Sequence, residues 1–402
     1  MVYHQVHSQV RPDILEKMSI SKRRLCIVAA TPLTIHFFFK QHIACWCKDY
    51  DVTVVYNTSS DKYLPPLGLP ITEKCIQIER KISPYKDLLA LIRLCLFMRR
   101  ARMDMVITLV PKAGMLGMLA AFFTNISIRV HIFQGEVWAS RRGLSRAFLR
   151  SCDVLIARVA TNILAVSPSE RNFLEHEGVV RRGRIQVIKK GSICGVDTDR
   201  FKPDERARQA VRAELGFESS DIVCMFLGRL AVEKGIYELA RAFKQSLQVQ
   251  GKLRLLLAGP DEDTLEHEIL SILGPVAGAR LTMCSYTLSP ERLLACADFH
   301  CMPSYREGFG MSIIEAASVG IPSIGTQIYG IEDAIEENVT GLLVPPRDVE
   351  RLSDAITRLA NDAEIRKGLG LAARKRVIKE FTQIEIIQAY KSYIDDLFRL
   401  VR

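Results

Sequence analysis

Eleven short apolar runs, bounded by turn residues and separated by longer amphipathic stretches, fix what this chain can fold into. In the first half they are 25–30, 52–56, 105–109, 128–133, 163–167 and 185–188. In the second half they are 222–227, 253–258, 299–303, 322–325 and 341–344. Runs this short and this apolar suit strands buried on both faces of a parallel sheet. Helical stretches lie between them at 85–102, 144–160, 235–248, 312–319 and 349–361. Strand and helix in alternation predict an α/β chain. With 402 residues and about 100–200 residues per domain, two doubly wound, Rossmann-like domains facing a central cleft are expected. Glycine, aspartate and proline cluster in GSICGVDTDRFKP at 191–203, which marks the boundary. The expected division is an N-terminal extension over 1–20, a first domain over 21–195 and a second over 196–382. A C-terminal helix over 383–402 is expected to join the first domain.

The net charge of +10 is unevenly spread. Residues 1–200 hold 30 Lys and Arg against 16 Asp and Glu, and the remainder is slightly acidic. The basic surplus can face nucleic acid, a membrane surface or an anionic substrate, or can be a solvated face with no partner. Eleven cysteines without a framework favour a reducing cytosol. No secretory signal is read in the polar residues 1–23, and Met18 is a candidate natural start. The longest apolar run, 113–124, falls short of the ~20 residues that span a bilayer.

Two segments carry the chemistry. The first, IVCMFLGRLAVEKG over 222–235, ends a strand at Gly228 and places Arg229 and Lys234 around a short loop before a helix. Gly228 lets backbone approach a ligand. Arg229 offers a planar fork for phosphate oxygens, Lys234 adds a second charge, and the helix start adds free N–H groups. The segment reads as a diphosphate clamp, or as a plain turn with two solvated charges. The second, PSYREGFGMSIIEAASVGIP over 303–322, holds Glu307 and Glu315 with seven residues between them. Gly308 and Gly310 argue against one continuous helix, so a loop should carry Glu307 and a helix Glu315. The amides of this glycine-rich loop can meet sugar hydroxyls or phosphate. Glu315 can accept from both hydroxyls of a ribose, or can close a capping box with Ser312.

Residues 220–380 resemble the C-terminal domain of the family-4 retaining glycosyltransferases of GT-B fold. The strand-end motif is matched by Gly228, Arg229, Leu230, Lys234 and Gly235, and the E-x7-E signature by Glu307 and Glu315. The resemblance implies that Arg229 and Lys234 neutralise a diphosphate leaving group, with Glu307 completing the catalytic set. Glu307 should lie by the donor sugar, the amides of Phe309 and Gly310 should hold its hydroxyls, and Glu315 should bind the ribose. Gly308 and Met311 complete the expected donor-binding residues, and 284–286 should border the base. The first half, with FQGEVWASRRG, AVSPSERNFL and GSICGVDTDRF, is similar to bacterial transferases that build capsule, O-antigen and exopolysaccharide on polyprenyl-diphosphate carriers. That makes the first domain the acceptor-binding one, with His131, Gln134 and Gly135 in the cleft.

Two departures stand out. The glycine-rich first loop is replaced by Ala29, Ala30, Thr31, Pro32, Leu33 and Thr34. Where many relatives carry histidine before the glycine, this chain has Gln134, and His131 stands three residues earlier on a strand, where a structural role is favoured. Glutamine can hydrogen-bond a sugar hydroxyl but cannot take a proton.

The expected reaction is retaining transfer of a hexose or N-acetylhexosamine from a UDP-sugar to a polyprenyl-diphosphate-linked sugar. Metal and cofactor are not expected, because no His/Cys group has zinc spacing and the strings Asp197-Thr-Asp199 and Asp261-Glu-Asp263 fall in loops. Basic amphipathic stretches at 85–102 and 141–160 can lie on anionic lipid, or can pack their apolar sides inward and expose only charge. The expected partners are donor, lipid-linked acceptor and the inner face of the cytoplasmic membrane, with no nucleic acid. A dinucleotide oxidoreductase needs a G-x-G-x-x-G turn, which is absent after every candidate first strand. A sugar-nucleotide epimerase and a non-catalytic sugar-nucleotide-binding subunit stay open as alternatives.

Overall fold

The computed structural model describes residues 22–57, 67–79 and 83–401. The expected extension over 1–20, with Met18, lies outside the described residues.

Two parallel sheets form. The first contains β1 (Arg23–Val28), β2 (Tyr50–Tyr56), β3 (Thr72–Cys75), β4 (Met105–Leu109), β5 (Ile128–Phe133), β6 (Asn162–Ala165) and β7 (Ile185–Val187), in the order β3-β2-β1-β4-β5-β6-β7. The second contains β8 (Ile222–Leu227), β9 (Leu253–Ala258), β10 (Leu281–Cys284), β11 (Phe299–Met302), β12 (Ser323–Thr326) and β13 (Gly341–Val344), in the order β10-β9-β8-β11-β12-β13. In both, the strand order reverses beside the first strand, between β1 and β4 and between β8 and β11. Ligands of such sheets bind at the carboxyl ends of the strands at that reversal.

Side-chain alternation sorts the strand residues into layers. Leu25 and Ile27 of β1 join one core while Cys26 and Val28 join another. Likewise Val223 and Met225 of β8 face one way and Cys224 and Phe226 the other. The core holding Leu25 also holds Val223, Phe309 and Phe381, so one apolar layer runs through the inner faces of both sheets.

The chain passes between the sheets twice, and the two passages pair. Val196 N–H donates to the Phe381 carbonyl at 2.8 Å, and Gln383 N–H donates to the Val196 carbonyl at 2.8 Å. The last helix, Gln383–Leu400, then packs on the helix Lys40–Trp46 beneath the first sheet. Tyr390 meets His42 edge-on at 4.9 Å between ring centres, and Lys391 reaches Asp49 at 2.9 Å.

On the outer side of the first sheet, the helices Pro84–Ala101 and Gly143–Val159 flank the helix Pro111–Phe123. The first buries Ala90, Leu94 and Met98 but exposes Tyr85, Leu88, Ile92 and Leu96. The second leaves Leu144 90% exposed and Phe148 also outside. The reading in which only charges face solvent therefore fails. These helices carry more apolar side chains than one sheet face can cover. Among the described residues no helix is long and apolar enough to cross a membrane.

Candidate active site

Both chemical segments leave the second sheet at its reversal point, one from β8 and one from β11. After β8 the chain makes a short 3-10 turn, Val232–Lys234, and enters the helix Ile236–Val249 through Gly235 in a left-handed conformation. A side chain at Gly235 would collide with the Pro303 carbonyl at the end of β11. That close approach brings Lys234 to Glu307, 73 residues later, and they form an ion pair with side chains only 14% and 13% exposed. Glu307 also accepts from Ser304 Oγ at 2.9 Å. Arg229 is more open, at 42%, and pairs with Glu233 at 3.1 Å and with Glu262. Both expected clamp cations thus already have carboxylate partners, and an incoming anion must compete with them.

The helix Met311–Val319 begins at Gly310, which is left-handed and supplies no side-chain cap. This overturns the capping-box alternative. Ser312 lies inside the helix with its hydroxyl 3.3 Å from His300 Nε2, and Glu315 falls beyond the position from which it could reach back. Burial pushes the Glu315 carboxyl up to about 7, with Arg200 pulling it down and Glu291 adding to the rise. The ring of Phe309 is buried and meets Phe381 edge-on at 5.2 Å, so only its backbone can serve a ligand. Met311 Sδ accepts from Ser192 Oγ at 3.2 Å, between the domains.

The first domain meets this loop backbone to backbone. Gly135 has φ +90°, and a Cβ there would stand 2.9 Å from Gly308 N. A Cβ at Gly308 would stand 2.7 Å from the Gln134 carbonyl carbon. Neither contact leaves room for a methyl group. Gly135 N–H donates to Glu170, and its carbonyl accepts from Arg306 Nη1 at 2.9 Å. The Gln134 backbone thereby lies against Gly308, and its buried Nε2 makes no hydrogen bond to the described residues. Behind the loop, burial raises the Glu136 carboxyl to about 7, and burial together with Glu136 raises Glu170 as well.

His131 does not join this group. It is 2% exposed, bonds Thr108 Oγ1 through Nδ1 at 2.7 Å, and lies against Gly114 of the helix behind the sheet. Burial lowers its ring to about 3, so it is a neutral structural histidine. The two Asp-x-Asp strings serve the backbone. Asp197 accepts from Asp199 and Arg200 N–H, both at 3.1 Å. Asp261 caps the helix Glu266–Leu273 through Leu265 and Glu266 N–H, and Asp263 holds Val232 N–H at 2.9 Å. Among the described residues no three His, Cys, Asp or Glu converge as metal ligands. Sequence reasoning missed Glu233, Glu262 and Arg306. All three lie within or beside the motifs above, but the Glu233–Arg306 pair needs β8 beside β11 and the Arg229–Glu262 pair needs β8 beside β9.

Two family descriptions match the chain. Residues 207–376 match "Glycosyl transferases group 1" and residues 42–191 match "Glycosyl transferase 4-like domain". The chain belongs to the family-4 glycosyltransferases, with the GT-B fold. The capsular polysaccharide biosynthesis glycosyltransferase CapM of Staphylococcus aureus is 27% identical over 83% of this chain and 87% of its own length. An Escherichia coli enzyme named UDP-Gal:alpha-D-GlcNAc-diphosphoundecaprenol alpha-1,3-galactosyltransferase is 24% identical over 79% of this chain and 81% of its own length. HepE of Anabaena, solved with UDP and glucose, superposes with a TM-score of 0.78 at 18% identity, covering 93% of this chain and 99% of its own.

If Arg229 and Lys234 stabilise developing charge, replacing either with alanine should lower kcat/KM of this transferase by about 10²–10³. Asp197→Asn, in the linker turn, should change it by less than about threefold. Steady-state kinetics on the three variants checks this, and equal losses in all three would contradict it.

Proposed function

We propose that the transferase is retaining and metal-independent. It moves a hexose or N-acetylhexosamine from a UDP-sugar to a polyprenyl-diphosphate-linked sugar in bacterial surface polysaccharide synthesis. The observation that carries this reading is the convergence of Arg229, Lys234 and Glu307 at the reversal point of the second sheet. The Escherichia coli relative, named for transfer to GlcNAc-diphosphoundecaprenol, supports the acceptor class, the Staphylococcus aureus relative supports the polysaccharide pathway, and the UDP in HepE supports the nucleotide.

In this reading the bond from the anomeric carbon to the β-phosphate oxygen breaks, and its electrons stay on the phosphate. The acceptor hydroxyl bonds the anomeric carbon on the face being vacated, and its proton passes to the departing phosphate. Arg229 and Lys234 stabilise the charge that grows on the leaving oxygen, the task a metal performs in other transferases. Glu307 aligns the donor sugar, and the backbone N–H groups of Phe309 and Gly310 hold its hydroxyls. Glu315 takes the ribose hydroxyls, and Gln134 offers its unpartnered Nε2 to a sugar hydroxyl across the cleft.

Purified protein should be incubated with UDP-, GDP- and ADP-sugars and short-chain polyprenyl-diphosphate sugars. The expected product carries the donor's anomeric configuration and forms equally well with EDTA present. Inverted product, or loss with EDTA, contradicts the corresponding part. Donor turnover without any acceptor points to the epimerase alternative, and donor binding without turnover points to a non-catalytic subunit.

Glu315 supplies a pH signature. A ribose hydroxyl bonds best to the ionised carboxylate, and this carboxyl ionises near about 7. Donor affinity should therefore rise as pH rises, by roughly tenfold from pH 6 to pH 8. The intact nucleotide sugar has no titration of its own there, and Glu315→Gln should flatten the curve. Calorimetric titrations of both proteins with UDP-sugar measure it, and parallel curves would exclude Glu315 as the source.

The outer helices of the first domain should hold the enzyme on the inner face of the cytoplasmic membrane. Tyr85, Leu88, Ile92, Leu144 and Phe148 enter the lipid, while Arg99, Arg100, Arg141 and Arg142 meet anionic headgroups. Sedimentation with phosphatidylglycerol vesicles should exceed that with neutral vesicles, and Leu88→Glu with Phe148→Glu should abolish it. Equal sedimentation of wild type and double variant would discard this surface.

A further inference from the structure

Two guanidinium groups share one carboxylate behind the diphosphate clamp. Glu233 accepts from Arg229 at 3.1 Å through Oε1 and from Arg306 at 2.7 Å through Oε2. The other amine of Arg306 donates to the Gly135 carbonyl at 2.9 Å. An unbroken run of direct contacts therefore joins the open cation of one domain to the cleft loop of the other: Arg229, Glu233, Arg306, Gly135. The Arg306 side chain is 15% exposed against 42% for Arg229. The inner member of the run is thus shielded, while the outer one is reachable.

We infer that Arg306 is a positioning residue that couples diphosphate held at Arg229 to the placement of Gln134 in the acceptor cleft. The inference rests on the proposed role of Arg229 as a diphosphate ligand. Phosphate oxygens compete with Glu233 and Glu262 for Arg229. As Arg229 turns to phosphate, Glu233 gives its charge to Arg306 alone. A more firmly held guanidinium fixes the Gly135 carbonyl, while Glu170 holds the Gly135 N–H on the preceding peptide. The backbone contact between Gly135 and Gly308 leaves no slack to absorb the change. Gln134 supplies the carbonyl half of the peptide that ends in the Gly135 N–H, so its placement follows from the two holds on Gly135. The coupling is reciprocal, as binding linkage requires. A well-placed cleft loop also strengthens the hold on the nucleotide. Arg306 touches neither reactant in this scheme.

Hydrogen exchange of wild type, Arg306→Gln and Glu233→Gln, with and without saturating nucleoside diphosphate, tests the inference. UDP, GDP and ADP are each titrated first, and whichever binds is used. In wild type the nucleotide should slow exchange over residues 133–138 by about five- to tenfold. It should also slow exchange over 307–315, which reports direct binding. In both variants protection over 307–315 should remain and protection over 133–138 should vanish. Transfer kcat should fall by about tenfold, and nucleotide Kd should change by no more than the about five- to tenfold that the linkage carries. Protection over 133–138 that persists in the variants would overturn the coupling, as would its absence from nucleotide-bound wild type. If Arg306→Gln unfolds, Glu233→Gln decides alone, since it leaves the Arg306 contact with Gly135 in place. If none of the three nucleotides binds wild type, the donor reading fails, and this inference fails with it.

Discussion

No methyl group fits between Gly135 of the first domain and Gly308 of the second, and the arrangement of the site follows from that. Two loops in direct backbone contact fix the distance between the sheets at one point. Everything anchored on either loop inherits that distance: Gln134 on one side, Arg306 and Glu307 on the other. The paired passages at Val196 and Phe381 give the other constraint, a short two-stranded connection in place of a single tether. Between them the domains share an apolar layer that includes Phe309 and Phe381. The loop after β11 is therefore supported from below by the ring of one of its own residues, Phe309.

The clamp is an electrostatic balance more than a set of free cations. Lys234 is satisfied by Glu307, and Arg229 by Glu233 and Glu262. Leaving a half-buried ammonium without a partner would cost several kcal/mol, so these carboxylates stabilise the fold as well as tune the site. A ligand diphosphate carries charge of the same sign as the carboxylates it displaces, and exchange of partners is less costly than creation of a charge pair. Under the proposed reaction the arrangement also discriminates, because a neutral sugar gains nothing by entering the clamp.

The central strands were legible because burial on both faces leaves an unmixed apolar run. Their ends either coincide with the sequence reading or differ from it by at most two residues, as hydrogen-bond definitions allow. The strands β3 and β10 were not read, for one physical reason. Each is at a sheet edge; Thr72–Cys75 is exposed along its whole length and Leu281–Cys284 is only partly covered. At the site, Arg229, Lys234 and Glu307 were legible as a motif, and the ion pair between the last two was not, because it depends on Gly235 seating against Pro303. Glu233 and Arg306 look like solvated loop charges in a string of letters. Only the neighbourhood of β8 and β11 makes them partners. His131 was open to two readings until the wall of Thr108 and Gly114 closed around its ring.

The uneven charge of the two halves gains a local meaning from these contacts. In the second half the cations nearest the site are matched by Glu233, Glu262 and Glu307, so they project little field beyond contact range at physiological ionic strength. In the first half, exposed arginines stand among exposed apolar side chains on the outer helices, with too few carboxylates to match them. Long-range attraction for anions therefore originates on the first domain, and under the proposed reaction short-range selection falls to the second. Under the proposed reaction that division suits the two substrates. A lipid-linked diphosphate confined to a charged surface has to be found from a distance, and a soluble nucleotide sugar has to be distinguished at contact. In that reading the Gly135–Gly308 junction is where the two requirements meet, because there the domain that would find one substrate touches the domain that would select the other.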